Sequence, residues 1–466
     1  MGSGSVSAMS ATALSSVNPT DGSLIQHWDP MTAKDVDGIL ASTAEAWQTW
    51  RAMSFDDRGE CFRRVADLLE HRADEFALLI TREMGKPVSE SRAEAFKCAL
   101  VCRYFADEAA GLLVDREFDS DNREAFATFE PLGVIYAIMP WNLPFWQVFR
   151  AAAPTMMAGN GMVLKHAPCV IGCAMMIESL FAEAGFPPDI FRTLVIDLDL
   201  SQRVIDHHAV GGVTLTGSER AGRAVAAQAG AALKKSVLEL GGSDPYVILE
   251  DADLELAAQT CVASRMLNCG QVCIAAKRFI AVDAIRPDLT ERVIELMKTY
   301  EMGDPEDPDC RLGPMAREDL RDQHHDQVQQ TINQGATCVL GGTVPDQPGW
   351  WYSPTVLVDV TSEMVGFTDE LFGPTAAIVA ARDEAQAIEL ANHSRYGLGG
   401  AVFTRDLDRG RALARDRVTV GCCAVNGLVK SDPRLPFGGV RDSGYGRELG
   451  PFGIHEFVNI KTVVVS

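Results

Sequence analysis

Val134-Ile135-Tyr136-Ala137-Ile138-Met139-Pro140-Trp141-Asn142-Leu143-Pro144-Phe145 decides the fold, because it reads as a strand, a stiff turn and the start of a helix. An apolar run this short, rich in β-branched and aromatic residues and stopped by proline, is a buried strand rather than a helix. Pro140 and Pro144 bracket Asn142 and fix an extended turn that cannot join the sheet. The pattern then repeats downstream. Strands are predicted over 134–139, 162–165, 191–195, 212–215 and 236–239, with helices over 145–158, 171–184, near 201–207 and over 218–229. Short apolar strands alternating with helices imply a parallel sheet covered on both faces.

Upstream, 41–50, 58–71, 74–84 and 89–112 carry apolar residues at three- and four-residue steps, the helical period. Asp74 is the expected N-cap of the third of these, and Gly85-Lys86-Pro87 its stop. A second α/β region begins at 245–249. It has helices over 254–268 and 286–298, and strands near 279–282, 375–380 and 400–404. The alternating run Glu124-Ala125-Phe126-Ala127-Thr128-Phe129-Glu130 reads as an exposed hairpin strand, and 457–465 is β-rich. The expected class is therefore α/β, with two Rossmann-like parallel-sheet domains and a small β extension. Segments 1–113 and 132–239 form the first domain, 240–446 the second, and 114–131 with 447–466 the extension. Its free sheet edges call for a second subunit, as a homodimer or homotetramer.

A chain of 466 residues exceeds one core and divides into domains. Its formal charge of −22 disfavours nucleic acid or an anionic membrane as partner. No apolar run reaches the roughly 20 residues of a membrane span. Met1-Gly2-Ser3-Gly4-Ser5 lacks the basic start and apolar core of a signal peptide and reads as a disordered leader. The 12 cysteines show no small-scaffold spacing and no Cys-x-x-Cys, so a reduced, cytoplasmic protein is expected, with no metal site.

Two residues carry the chemistry. Cys273 lies in Gly270-Gln271-Val272-Cys273, and Glu239 in Leu238-Glu239-Leu240-Gly241-Gly242-Ser243. Most lone cysteines are small core hydrophobes and most lone glutamates are solvated. The surrounding glycines argue otherwise, since close backbone approach is rarely needed at a packing position. A thiol is the best side-chain nucleophile and a nearby carboxylate can deprotonate water, which together suggest a covalent thioester route. Thr216-Gly217-Ser218 follows a strand and opens a helix, where free N–H groups attract phosphate, although neither a Gly-x-Gly-x-x-Gly nor a Walker loop is present.

These stretches resemble the signature motifs of the aldehyde dehydrogenase superfamily, and six of them occur in the family's order from about residue 18 to 462. The resemblance implies that Cys273 attacks the aldehyde, Asn142 holds the oxyanion with the Cys273 N–H, and Glu239 activates water. It also implies that Pro140, Trp141, Lys165, Pro168, Thr216, Gly217, Ser218, Gly222, Leu240, Glu370 and Phe372 contact the cofactor. Among these, Lys165 would hold the adenosine ribose, Ser218 the phosphates, Glu370 the nicotinamide ribose and Phe372 the nicotinamide pocket. Pro436-Phe437-Gly438-Gly439 resembles the family's loop at the substrate mouth.

Within the family the chain most resembles bacterial succinate-semialdehyde dehydrogenases, through Leu164-Lys165-His166-Ala167-Pro168, Ala231-Ala232-Leu233-Lys234-Lys235 and Ser431-Asp432-Pro433-Arg434. A substrate with a distal carboxylate wants an arginine fork, and Arg150 and Arg434 are the candidates. Some of those relatives carry a second pocket arginine six residues before the nucleophile, where this chain has Leu267, so other semialdehydes or aliphatic aldehydes stay open. NAD-preferring relatives often place Glu three residues after the ribose lysine. Pro168 stands there, which implies dual NAD(P)+ use or a lean toward NADP+. Cys269 reads as a small buried thiol, a reversible pairing with Cys273 being the alternative. A thiol hydrolase without cofactor, and a non-catalytic descendant, are the competing functions. The intact Cys273, Glu239, Lys165, Ser218 and Glu370 speak against both.

Overall fold

A computed structural model describes residues 14–466. The leader expected at residues 1–5 lies outside the described residues, as does the rest of 1–13. The first sheet holds Val134–Met139, Gly161–His166, Phe191–Thr193, Val210–Thr216 and Lys235–Glu239 in parallel. Across the sheet these strands run 3-2-1-4-5 in chain order, so the order reverses between Val134–Met139 and Val210–Thr216. In such doubly wound sheets a crevice opens beyond the carboxyl ends at the reversal. The Pro140–Asn142 turn and the Gly217–Ser218 turn leave the sheet at that point.

The second sheet has seven strands, in the order Thr337–Leu340, Thr355–Val358, Thr375–Ala381, Ala276–Val282, Asp244–Ile248, Gly399–Phe403 and Cys422–Val425. All its pairings are parallel except the first, where Thr337–Leu340 runs antiparallel. Its central strands are buried along their whole length, which is why they read as continuous apolar runs. The third sheet pairs Val458–Val465 with Glu124–Pro131 from end to end, and Arg116–Glu117 adds a short outer strand.

The sequence reading did not contain the strands Thr337–Leu340, Thr355–Val358 and Cys422–Val425 or the helices Glu318–Asn333, Glu384–Asn392 and Leu407–Asp416, and it differs in other details. Asp74 is not a cap: helix Ala73–Met84 starts one residue earlier with Arg72 at the cap position, and Asp74 pairs with Arg92 at 2.8 Å. Gly85 does end that helix, in the left-handed conformation with φ 79°. A hairpin of Leu14–Val17 and Leu24–Trp28 was not anticipated. Gly444–Tyr445 lies inside the segment assigned to the second domain, yet it extends the first sheet antiparallel to Lys235–Glu239. The register sets Gly444 opposite Glu239, so the C-terminal loop reaches the end of the strand that carries the glutamate.

Candidate active site

A cavity of about 340 Å³ opens at the reversal point of the first sheet. Cys273, Glu239 and Asn142 line it together, with Pro140, Trp141, Thr216, Gly217, Ser218, Leu240, Glu370 and Phe372. Residues 230 positions apart in sequence (370 − 140 = 230) thus converge on one space.

The turn bearing Asn142 is held from two sides. His166 sits between the Met139 and Pro144 carbonyls, its Nε2 2.8 Å from the Pro144 oxygen and its Nδ1 accepting from the Ala167 N–H at 3.0 Å. Burial pushes this imidazole down to about 4, so it stays neutral and keeps one acceptor nitrogen. Glu94 accepts from the Phe145 and Trp146 N–H groups at 2.8 Å each, filling the open N-terminus of helix Trp146–Met157, and its other oxygen pairs with buried Lys86. Asn142, 3 % exposed, donates through Nδ2 to the Gln271 carbonyl at 2.9 Å, while its Oδ1 has no partner.

The nucleophile loop is strained. Asn268, Cys269 and Gly270 are consecutive left-handed residues at φ 52°, 54° and 74°. Conformations of this kind cost on the order of 1–3 kcal/mol each for ordinary side chains and persist only when neighbours enforce them. Here Asn268 donates from its amide to the Asn142 carbonyl at 2.8 Å and from its backbone to Glu90 at 2.8 Å. Gln271 receives the Ala316 N–H at 3.0 Å. At Gly270 any Cβ would run into the Gly373 backbone. Cys269 is buried in the core of the seven-stranded sheet, whereas Cys273 packs against the core of the other sheet. Both thiols are free.

Burial pushes the Cys273 thiol up to about 11, and Arg150 and Lys277 pull it back. Lys277 donates to the Cys273 carbonyl and to the Val272 carbonyl at 3.1 Å, and it pairs with Glu370 at 3.2 Å. Glu370 also accepts the Gly242 N–H at 3.0 Å. Two adjacent cations, Lys277 and Arg278, at the head of the strand Ala276–Val282 were the sequence signal, and it was missed. Glu239 is 2 % exposed and neither carboxylate oxygen has a hydrogen-bond partner. Burial holds its carboxyl well above the usual range, Glu448 pushes the same way, and Arg150 and Arg447 oppose them. The shift makes its carboxylate form a stronger base than an exposed glutamate, able to take a proton from water once its own proton has left.

The cofactor residues divide. Ser218 caps helix Glu219–Ala231 by accepting from the Ala221 N–H, leaving the helix start facing the cavity. Trp141 and Phe372 meet edge to face, ring centroids 5.8 Å apart, and form an apolar wall beside Cys273. A Cβ at Gly217 would meet only one Leu215 methyl, at 3.7 Å, so the turn is open on its outer side. Flat apolar walls, a helix start and a carboxylate fit a nicotinamide dinucleotide. Lys165, at the end of Gly161–His166, and Pro168, opening the turn Pro168–Val170, lie outside this cavity's walls. Gly222 lies inside the helix, where a Cβ would strike the Leu240 methyls at 2.6 Å, so its smallness serves close packing. Arg395, Tyr396 and Glu219 form a linked group on the cavity wall, with Arg395 3.1 Å from Glu219. Their separation in sequence left no local signal.

The two arginines expected to meet the substrate are both paired within the chain. Arg150 is 1 % exposed, pairs with Glu448, donates to Thr216 Oγ1 at 3.1 Å and sits over the Phe437 ring. Arg434 is on the surface and grips Asp432 with two bonds, at 2.9 and 2.6 Å. Each guanidinium is already satisfied by an internal carboxylate, and neither lines the cavity.

A fold with the nucleotide crevice at this reversal point, and a thiol and a carboxyl facing one cavity, defines a nicotinamide-linked thiol enzyme. The chain belongs to the aldehyde dehydrogenase family, whose pattern matches residues 6–463. It is 47 % identical over 453 residues to the succinate semialdehyde dehydrogenase [NAD(P)+] Sad of Escherichia coli (strain K12), covering 97 % of this chain and 98 % of that one. It is 43 % identical to the succinate-semialdehyde dehydrogenase [NADP(+)] of Mycobacterium leprae (strain TN), over 97 % and 100 % of the two chains. The crystal structure of succinic semialdehyde dehydrogenase from Streptococcus pyogenes in complex with NADP+ superposes with a TM-score of 0.95 at 36 % identity, over 97 % and 100 % of the chains.

Proposed function

We propose that this protein oxidises succinate semialdehyde to succinate with NADP+ or NAD+. The observation that carries the reading is the convergence of Cys273 and Glu239 on a cavity walled by Trp141, Phe372 and the Ser218 helix start. A dinucleotide bound here would supply the hydride acceptor, and Glu370, Ser218, Lys165 and Pro168 would hold it. The Cys273 sulfur adds to the aldehyde carbon, and its proton leaves to solvent. Asn142 Nδ2 turns from the Gln271 carbonyl to the new oxyanion, joined by the Cys273 N–H, a contribution often worth about 3 kcal/mol. Loss of the hydride leaves an acyl thioester on Cys273. Glu239 takes a proton from water, the hydroxide adds to the acyl carbon, and collapse releases the acid and the thiolate.

Residues 1–113 with 132–239 then act as the cofactor unit and 240–446 as the catalytic unit. The segments 114–131 and 447–466 serve assembly into a homodimer or homotetramer. Exposed Ile460 and Val464 on Val458–Val465, the edge strand opposite Arg116–Glu117, support that role. Unpaired cysteines throughout the described residues suit a reducing cytoplasm, and no described helix is long and apolar enough to cross a membrane. A panel of aldehydes with each dinucleotide, followed at the reduced-nicotinamide absorbance band, tests the function. Succinate semialdehyde should give the highest kcat/KM. Acid formation without nicotinamide reduction would establish a hydrolase instead.

A further inference from the structure

The Cys273 nucleophile and the Glu370 carboxylate both line the cavity, and they share one neighbour that does not. We infer that this neighbour, Lys277, is a positioning residue that holds the nucleophile loop and the Glu370 carboxylate in one working arrangement. The inference rests on the roles proposed above for Cys273 and Glu370. Lys277 is 1 % exposed and stands near the head of strand Ala276–Val282, just past the nucleophile. Its ammonium donates to the Cys273 carbonyl and to the Val272 carbonyl at 3.1 Å, and pairs with Glu370 Oε1 at 3.2 Å. Arg278, the next residue, faces the other way along the strand and donates to the Ser243, Leu390 and Ala391 carbonyls. Of these two adjacent cations, one braces the domain and the other reaches the site.

The hold on the carboxylate is one-sided. Gly242 N–H donates to Glu370 Oε1 at 3.0 Å, and Lys277 pairs with that same oxygen. Among the described residues no donor reaches Oε2, which lies against Gly241 on the cavity wall, where an added Cβ would strike it. A carboxylate pinned through one oxygen presents the other to a ligand hydroxyl. On the nucleophile side the hold is on the peptide oxygens of Val272 and Cys273. These follow the left-handed run Asn268 to Gly270, whose strain persists only while neighbours enforce it. The ammonium also acts by its charge. Burial pushes the Cys273 thiol up to about 11, Arg150 and Lys277 oppose that, and Glu370 and Asp244 add to it. Asp244 is 1 % exposed, with Oδ1 accepting the Gly399 N–H at 3.1 Å and Oδ2 unpartnered. As a mere brace, a buried ion pair returns little, because desolvation offsets its attraction. Charges gathered behind a reactive thiol are instead the arrangement expected of a functional site.

The test uses the full enzyme and two readouts: the KM for NADP+, and alkylation of Cys273 by iodoacetamide, followed on its own peptide by mass spectrometry. In Lys277→Met the pH profile of alkylation should move up by about one unit, because a nearby opposite charge is lost. The KM for NADP+ should rise about tenfold. Lys277→Gln keeps a donor without the charge, so it should recover part of the KM and none of the pH shift. Glu370→Gln should move the alkylation profile the opposite way, since it removes a charge that disfavours the thiolate. Joining Lys277→Met to Glu370→Gln should raise KM little beyond Glu370→Gln alone, because residues acting as one unit are not additive. If Lys277→Met folds poorly, the same profile and the same pairing with Glu370→Gln, measured in Lys277→Gln, decide. An alkylation profile that stays in place, or KM losses that simply add, would overturn the inference and leave the proposed function standing. A wild type that stays fully active after Cys273 is alkylated would remove the proposed mechanism and this inference together.

Discussion

The two sides of the cavity are built differently. The cofactor side is made of turns at strand ends, Pro140–Asn142 after one strand and Gly217–Ser218 after another, both leaving the sheet where its order reverses. The substrate side is made of side chains from helix Trp146–Met157 and the loop before Phe437, where Arg150 pairs with Glu448 and Arg434 with Asp432. Backbone turns follow from local residue types, because proline, glycine and a capping serine each dictate a conformation. Side-chain pairing does not, because the partner lies far away in sequence.

The largest effect should come from Cys273→Ala, where the two sides meet. Aldehyde oxidation should fall to background while dinucleotide affinity, measured by fluorescence titration, stays within a few-fold. Retained turnover would dissolve the comparison, since the thiol would then belong to neither side's chemistry.

Arg150→Leu should come next. Removing it leaves Glu448 buried without its partner and strips a stabilising charge from both Cys273 and Glu239. Breaking a buried pair in this way costs about 3–5 kcal/mol of stability. Thermal unfolding should show that loss. Activity on succinate semialdehyde and butanal should fall alike, and alkylation of Cys273 at fixed pH should slow because the thiolate becomes scarcer. A loss confined to succinate semialdehyde would instead return Arg150 to the substrate side.

Pro168→Glu should have the smallest effect and acts on the cofactor side alone. A carboxylate three residues past Lys165 would accept from ribose hydroxyls and repel a 2′-phosphate. The NADP+/NAD+ ratio of kcat/KM should fall about tenfold, with the aldehyde preference unchanged. An unchanged ratio would place cofactor discrimination elsewhere.

The same division explains what the sequence disclosed. The first parallel sheet, the four central strands of the second, the helices over 55–112 and the turns at 140–142 and 217–218 were legible, because each depends on local periodicity or on a turn with its own chemistry. Leu14–Val17 and Leu24–Trp28 were not, since four- and five-residue strands paired only with each other carry little pattern. Arg150 was read from its position on the helix after Asn142, and that position does line up with the site. Its pairing with Glu448, 298 residues later (448 − 150 = 298), was not legible, because no local pattern announces so distant a partner.

The central claim is that one cavity performs two half-reactions, with Cys273 carrying the acyl group between them and Glu239 needed only for the second. Rapid mixing of Glu239→Gln with NADP+ and succinate semialdehyde tests it most directly. A burst of reduced nicotinamide near one equivalent per active site, followed by slow turnover, is the expected result. A progress curve with no burst and a wild-type steady-state rate would contradict it.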